Sequence, residues 1–135
     1  MRAALIAILA LFSPCAAAQV EPGNWELSLT TLMTGQDKPV AQVETRCITE
    51  ADARDPSRLL AGKGICEFSN RRDSGGQYSF EVSCTGLLPM KGKGTMRYSP
   101  QRFDGDLDLA IVDSGGGGPK FGMHSLVTGR RLGPC

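Results

Sequence analysis

Lys93-Gly94-Thr95-Met96-Arg97-Tyr98-Ser99-Pro100-Gln101-Arg102-Phe103-Asp104-Gly105-Asp106-Leu107-Asp108 reads as one β-hairpin turning at Ser99-Pro100-Gln101-Arg102. Folding the stretch about that turn pairs Arg97 with Asp104, Thr95 with Asp106 and Lys93 with Asp108 on a wet face. On the dry face Tyr98 meets Phe103, and Gly94 meets Leu107. Each facing pair of opposite charges is worth only about 0.2–1 kcal/mol. The register rests on the agreement of the charge pattern with the apolar pattern. Period-two alternation of this kind marks half-buried strands, and it decides for a β fold.

The alternation extends in both directions. Upstream, Trp25, Leu27, Leu29, Thr31 and Met33 point one way, and Glu26, Ser28 and Thr30 the other. After a polar turn at Gly35 to Pro39, Ala41, Val43, Thr45 and Cys47 share a face, opposite Gln42, Glu44 and Arg46. Cys66, Phe68 and Asn70 lie on one face of a later strand. Tyr78, Phe80, Val82 and Cys84 lie on one face of the next. Between these two strands Ser74-Gly75-Gly76 reads as a three-residue turn, with Gly76 in the left-handed position of a bulged hairpin. This register sets Phe68 opposite Val82 and Cys66 opposite Cys84. Gly115 to Gly118 reads as a flexible loop, and Phe121 to Thr128 as a last strand.

One helical interlude interrupts the strands. Thr49 can cap a first turn, with Asp52 three residues on. Asp55-Pro56 then restarts the helix, because Pro suits the first helical position. Leu59 and Leu60 supply an apolar face, and Gly62 stops the helix. The expectation is one broken helix, or two short ones, packed on an edge or mouth of the sheet.

The N-terminus carries an export pattern: Arg2, the ten apolar residues Ala3 to Phe12, and the small residues Ala16-Ala17-Ala18. The apolar run is too short to span a bilayer, and cleavage is expected after Ala18. Cys15 raises lipidation, but Pro14 fits that processing site badly, so Cys15 is expected to leave with the signal. Residues 1–18 therefore read as a signal peptide, and 19–135 as one β-rich, disulfide-linked periplasmic domain. Four cysteines remain: Cys47, Cys66, Cys84 and Cys135. An even set in an exported small domain reads as two disulfides. The hairpin register brings Cys66 to Cys84. If the helix crosses back along the sheet, alternating strand directions bring Cys135 to Cys47. The sequential pairing of Cys47 with Cys66 and Cys84 with Cys135 is the competing connectivity.

Charge excludes some partners. Lys and Arg number 15 and Asp and Glu 14, so loss of Arg2 leaves the two in balance. A neutral chain without a basic block argues against nucleic acid and against electrostatic attachment to anionic lipid. No later stretch is long and apolar enough to span a membrane.

The search for chemistry yields little. The cysteine spacings of 19, 18 and 51 residues contain no CxxC or CxH pair of the kind zinc ribbons use. Asp104, Asp106 and Asp108 mimic the opening of a calcium loop, but Leu109 stands where its glycine belongs and Gly115 where its glutamate belongs. They fit the wet side of a strand instead. Gly92-Lys93-Gly94-Thr95 lacks the glycine spacing and the Lys-Ser/Thr order of a phosphate loop. The single histidine, His124, sits beside Ser125 on a strand, and strand neighbours face opposite sides, so the two cannot act as base and nucleophile. Arg130 and Arg131 can grip an anion, or bridge locally and cover a strand end with their stems. No cofactor, metal or catalytic residue is expected.

Several pieces together resemble one family. They are Pro22-Gly23-Asn24-Trp25-Glu26, Arg46-Cys47-Ile48-Thr49, Cys66, Cys84-Thr85-Gly86, and Gly129-Arg130-Arg131-Leu132-Gly133-Pro134-Cys135. Their order and spacing are similar to the domain-of-unknown-function 3617 family of small bacterial exported proteins. The resemblance spans essentially the whole mature chain. It implies a periplasmic protein of uncharacterised role and carries no catalytic residues with it. The four-glycine loop and a methionine-poor mature region depart from the family pattern.

The sequence thus predicts a mainly β domain. It is an antiparallel meander of about seven strands, curled into a cupped sheet or a partly open barrel, with one short broken helix. The expected function is a non-enzymatic binding or accessory module for an unknown partner, such as another protein. The alternative is a lipocalin-like carrier of a small apolar ligand, held inside the curl by residues such as Trp25, Phe80 and Tyr98. A filled dry face favours the module; a cavity on the order of several hundred Å3 lined by those residues favours the carrier.

Overall fold

The computed structural model describes residues 19–61, 65–86, 88–112 and 121–135. The elements are β1 (Gly23–Met33), β2 (Val40–Ile48), α1 (Glu50–Arg54), α2 (Ser57–Ala61), β3 (Cys66–Ser74), β4 (Gln77–Cys84), β5 (Met90–Ser99), β6 (Arg102–Ile111) and β7 (Gly122–Gly133). The seven strands form one antiparallel sheet in the order β2-β1-β7-β6-β5-β4-β3. It does not close into a barrel; β2 and β3 are its two edges. The meander therefore runs from β3 to β7, then continues through β1 to β2.

The β5–β6 hairpin sets the polarity of both faces. Its pairs include Arg97 with Asp104, Thr95 with Asp106, Lys93 with Asp108, Tyr98 with Phe103 and Gly94 with Leu107. Neighbouring strands continue the pattern. Trp25, Leu27, Phe80, Val82, Phe103, Leu107 and Val127 point to one face and are buried. Phenylalanines on that face lie over glycines of the adjacent strand. A Cβ on Gly94 would meet the Phe80 ring at 2.5 Å, and one on Gly129 would meet the Phe103 ring at 2.4 Å. These glycines make room for rings in a core that has few aromatics.

The helical segment lies across this face and covers it. Thr49 caps α1, its hydroxyl accepting from the Asp52 amide. Asp55 breaks the segment, and α2 follows directly. Rather than sitting at an edge or mouth, as the sequence predicts, the segment reaches the middle of the sheet, where α2 packs on β6. Leu60 fills the space over Gly105 of β6, where a Cβ would come within 2.9 Å of it. Gly105 has no side chain of its own, and that leaves the room Leu60 fills. Gly62 and Gly115 to Gly118, read as a helix stop and a loop, lie outside the described residues.

Two further expectations are corrected, at the β3–β4 turn and at the end of β7. The β3–β4 turn has two residues, Gly75 and Gly76, both at positive φ, between the paired Ser74 and Gln77. The extra residue sits instead at a bulge between Ser69 and Arg72, where Asn70 has φ 48°. Phe68 still faces Val82 and Cys66 still faces Cys84, because a bulge and a longer turn shift the register equally. The bulge frees Arg71 to reach Asp55 at 3.4 Å, and its guanidinium stacks over the Phe68 ring. It thus ties the helix break to the edge strand. In β2 Ala41, Val43, Thr45 and Cys47 share a face as expected, and it is the open face, because β1 pairs Ser28 with Val43 and Leu27 with Glu44. Ile48 is the β2 residue that enters the core. Finally, β7 runs on through Gly133, since its pairing with β1 continues to Asn24.

Two disulfides join Cys66 to Cys84 and Cys47 to Cys135. The first links directly opposed residues of β3 and β4. The second follows from β1 lying between β2 and β7. Asn24 faces Cys47 on one side and Gly133 on the other. Two more residues carry the tail across to Cys47. The segment before β1 is also tied down. Val20 is buried, the Glu21 amide donates to the Pro100 carbonyl at 3.0 Å, and Trp25 Nε1 donates to the Glu21 carbonyl at 3.0 Å. Among the described residues no helix is long and apolar enough to cross a membrane.

Candidate functional site

The uncovered face of the sheet carries most of the polar chemistry. Alternation places Lys93, Thr95 and Arg97 of β5 there, with Arg102, Asp104, Asp106 and Asp108 of β6. Leu126, Thr128, Arg130 and His124 of β7 complete it, beside Glu26 and Ser28 of β1. Arg97 donates to Asp104 at 3.1 Å, and Arg130 donates to Glu26 at 2.8 Å. The Arg130 guanidinium holds the Glu26 carboxyl below its usual range, first by the hydrogen bond and then by its charge. Thr95 donates its hydroxyl to Asp106.

Open hollows lie along this face: two that adjoin each other, and one of about 560 Å3 beside Glu81, Lys93 and Asp108. Of the adjoining pair, the first, of about 640 Å3, is lined by Glu26, Arg97, Arg102, Asp104 and Arg130 among others. Arg102 stands directly opposite Arg130 and makes no ion pair among the described residues, so this hollow has an unneutralised cation. The other, of about 650 Å3, adjoins it and contains Arg72, Gln77, Asp106 and the half-exposed Leu126.

The residues singled out in the sequence fall in different places. Trp25 is 0% exposed and Phe80 is 2% exposed. Trp25 stacks at 5.4 Å from Phe103, and Phe80 packs edge-on to Phe68 at 5.5 Å. Both are packing residues. Tyr98 borders the first hollow and donates to both carboxylate oxygens of Asp73 at 2.7 Å. Burial and this bond push its phenol up to about 12. Arg130 lines the same hollow, paired with Glu26. Arg131 turns the other way, and its Nε donates to the Pro22 carbonyl at 3.0 Å. It anchors the chain before β1 and does not face the hollow.

One grouping escaped the sequence. His124 and Ser125 do face opposite ways. Ser125 is buried and shares a hydrogen bond with Thr31 at 3.0 Å. His124, on the open face, stands opposite Asp108 in the β6–β7 register, with Nδ1 2.6 Å from the carboxylate. Asp106 lies two residues along the same face. One donor atom each from Asp106, Asp108 and His124 fall within 4.8 Å of one another. Alternation within β6 placed both aspartates correctly. The missing signal was the β6–β7 register, which no short turn between those strands defines. Such donors can hold a divalent cation. Among the described residues His124 is bonded to a carboxylate and not to a hydroxyl or thiol.

These features define a class: a small disulfide-stapled antiparallel sheet, backed on one face by a broken helix and presenting the other, charged face to solvent. Over residues 20–135 the chain matches the model of a family described as "Protein of unknown function (DUF3617)", and it belongs to that family. No curated protein and no solved structure matches it.

Proposed function

We propose that this chain is an exported periplasmic protein, released by cleavage after Ala18, that acts as a non-enzymatic binding or accessory module. Its recognition surface is the open face of the sheet. The observation that carries this reading is the filled apolar face. Trp25, Ile48, Phe80 and Met96 are buried in one core cluster with Leu59 and Leu60. The cleft between α2 and β1, lined by Leu27, Leu29 and Val127, measures about 220 Å3, below the roughly 300–1,000 Å3 of small-molecule sites. The larger hollows lie on the charged face. The lipocalin-like carrier is the second reading, and it needs an interior that the packed aromatics occupy. Disulfides support an oxidising compartment.

An apolar fluorescent dye tests the choice. The oxidised protein should show no saturable dye uptake. Saturable uptake that falls in a folded Phe80→Ala variant would overturn the module in favour of the carrier. Native mass spectrometry of protein purified from the periplasm adds a second arm. A chain beginning at Gln19 and retaining a protein partner is expected, whereas a retained apolar small molecule supports the carrier.

A further inference from the structure

We infer that Asp106, Asp108 and His124 form a binding site for one divalent transition-metal ion on the open face. The inference does not depend on the binding-module reading. It rests first on donor geometry. The three side chains come from two adjacent strands whose register fixes their spacing, and their donor atoms lie within 4.8 Å of one another. Around a zinc-sized ion with bonds of about 2.0–2.2 Å, neighbouring ligands stand roughly 3–3.5 Å apart. Rotation of the exposed carboxylates covers the difference.

Charge supplies the second argument. Lys93 stands directly opposite Asp108 on the β5 side. A sheet that merely balances its charges would pair them, as Arg97 pairs with Asp104 one turn of the ladder away. Lys93 and Asp108 form no ion pair; Asp108 turns toward His124 instead. Asp106 likewise has no cationic partner, only the Thr95 hydroxyl, which fixes one of its oxygens and leaves the other free. Two carboxylates therefore stand beside one imidazole with no lysine or arginine paired to either among the described residues, a donor set that a dication can bridge.

Chemistry selects the ion. One imidazole with two carboxylates suits zinc, manganese, iron, cobalt or nickel, whereas calcium takes six to eight oxygen ligands. Every cysteine among the described residues is in a disulfide, so thiolate does not compete for the ion. The face is open, so water fills the remaining positions, and these can accept an anionic group from a partner. Ligation exchanges the His124–Asp108 hydrogen bond for two metal bonds and leaves the backbone in place.

The experiment uses the oxidised protein, stripped with chelator and titrated with zinc and with cobalt. Calorimetry should give one site per chain, and cobalt should produce a visible ligand-field spectrum with a nitrogen ligand. His124→Gln and Asp108→Asn should each weaken binding tenfold or more. Asp104→Asn, on the same strand face but outside the triad, should change it less than twofold. Manganese should broaden the His124 ring resonances of the unmodified protein, a readout that needs no variant to fold. Absence of saturable binding tighter than about 1 mM would overturn the site. So would equal binding in His124→Gln, or manganese broadening centred on other residues.

Discussion

Tyr98 shows how a single side chain carries the stability of a strand edge into its pH dependence. Its ring covers the end of the core, and its hydroxyl bridges to Asp73 near the β3–β4 turn. The phenol is held neutral to about pH 12, whereas the unfolded chain ionises near 10.0. Tyr78 is raised too, chiefly by burial. A folded-state value above the unfolded one means that this contribution is complete below about pH 10. It is lost as pH rises through about 12. Urea midpoints measured across that window should fall more steeply for the unmodified protein than for Tyr98→Phe. Parallel decline in the two proteins would assign the loss to other groups.

At the level of elements, the β5–β6 hairpin gives the cleanest test of a register argued from charge. Arg97 and Asp104 are both mostly exposed, so their bond is worth at most about 1 kcal/mol. Arg97→Asp should lower stability by up to that amount, and adding Asp104→Arg should recover part of it. A double-mutant cycle without coupling would remove the pair from the account. This hairpin was legible because turn, charge and apolar pattern all agree within sixteen residues. The β3–β4 hairpin was legible only in part. The alternation fixed Phe68 against Val82, but a bulge and a longer turn give the same register there. The bulge coincides with Arg71 reaching Asp55, a contact with another element that strand alternation does not show. In β2 the shared face was legible, but not which side of the sheet it meets. Its Val43 is 69% exposed, because an edge strand that the helices leave uncovered has little apolar burial to orient it. Asp106, Asp108 and His124 were each visible in the sequence, yet their meeting depends on the β6–β7 register.

For the whole molecule, the order of strands matters more than their number. β1, near the start, pairs along ten residues with β7, near the end, and the Cys47–Cys135 bridge closes a loop of 88 residues. In the chain-entropy account that bridge contributes about 4.5 kcal/mol, against about 3 kcal/mol for Cys66–Cys84 with its separation of 18. Replacing Cys47 and Cys135 together by Ala should therefore lower the unfolding free energy more than replacing Cys66 and Cys84. Non-reducing peptide mapping should recover both links. A Cys47–Cys66 peptide would contradict the crossing of the helix over the sheet. The β1–β7 pairing also has a consequence in time. A chain delivered N-terminus first presents β1 long before β7, so β1, next to the β2 edge, stays bare on one side until almost the whole chain has arrived. Contacts of such long sequence separation form slowly, and an unpaired strand edge invites neighbouring chains to pair with it. The hazard for this protein is thus greatest in its youth, before the final dozen residues arrive, and a chaperone that shelters the nascent β1–β2 hairpin would protect it more than one acting on the finished domain.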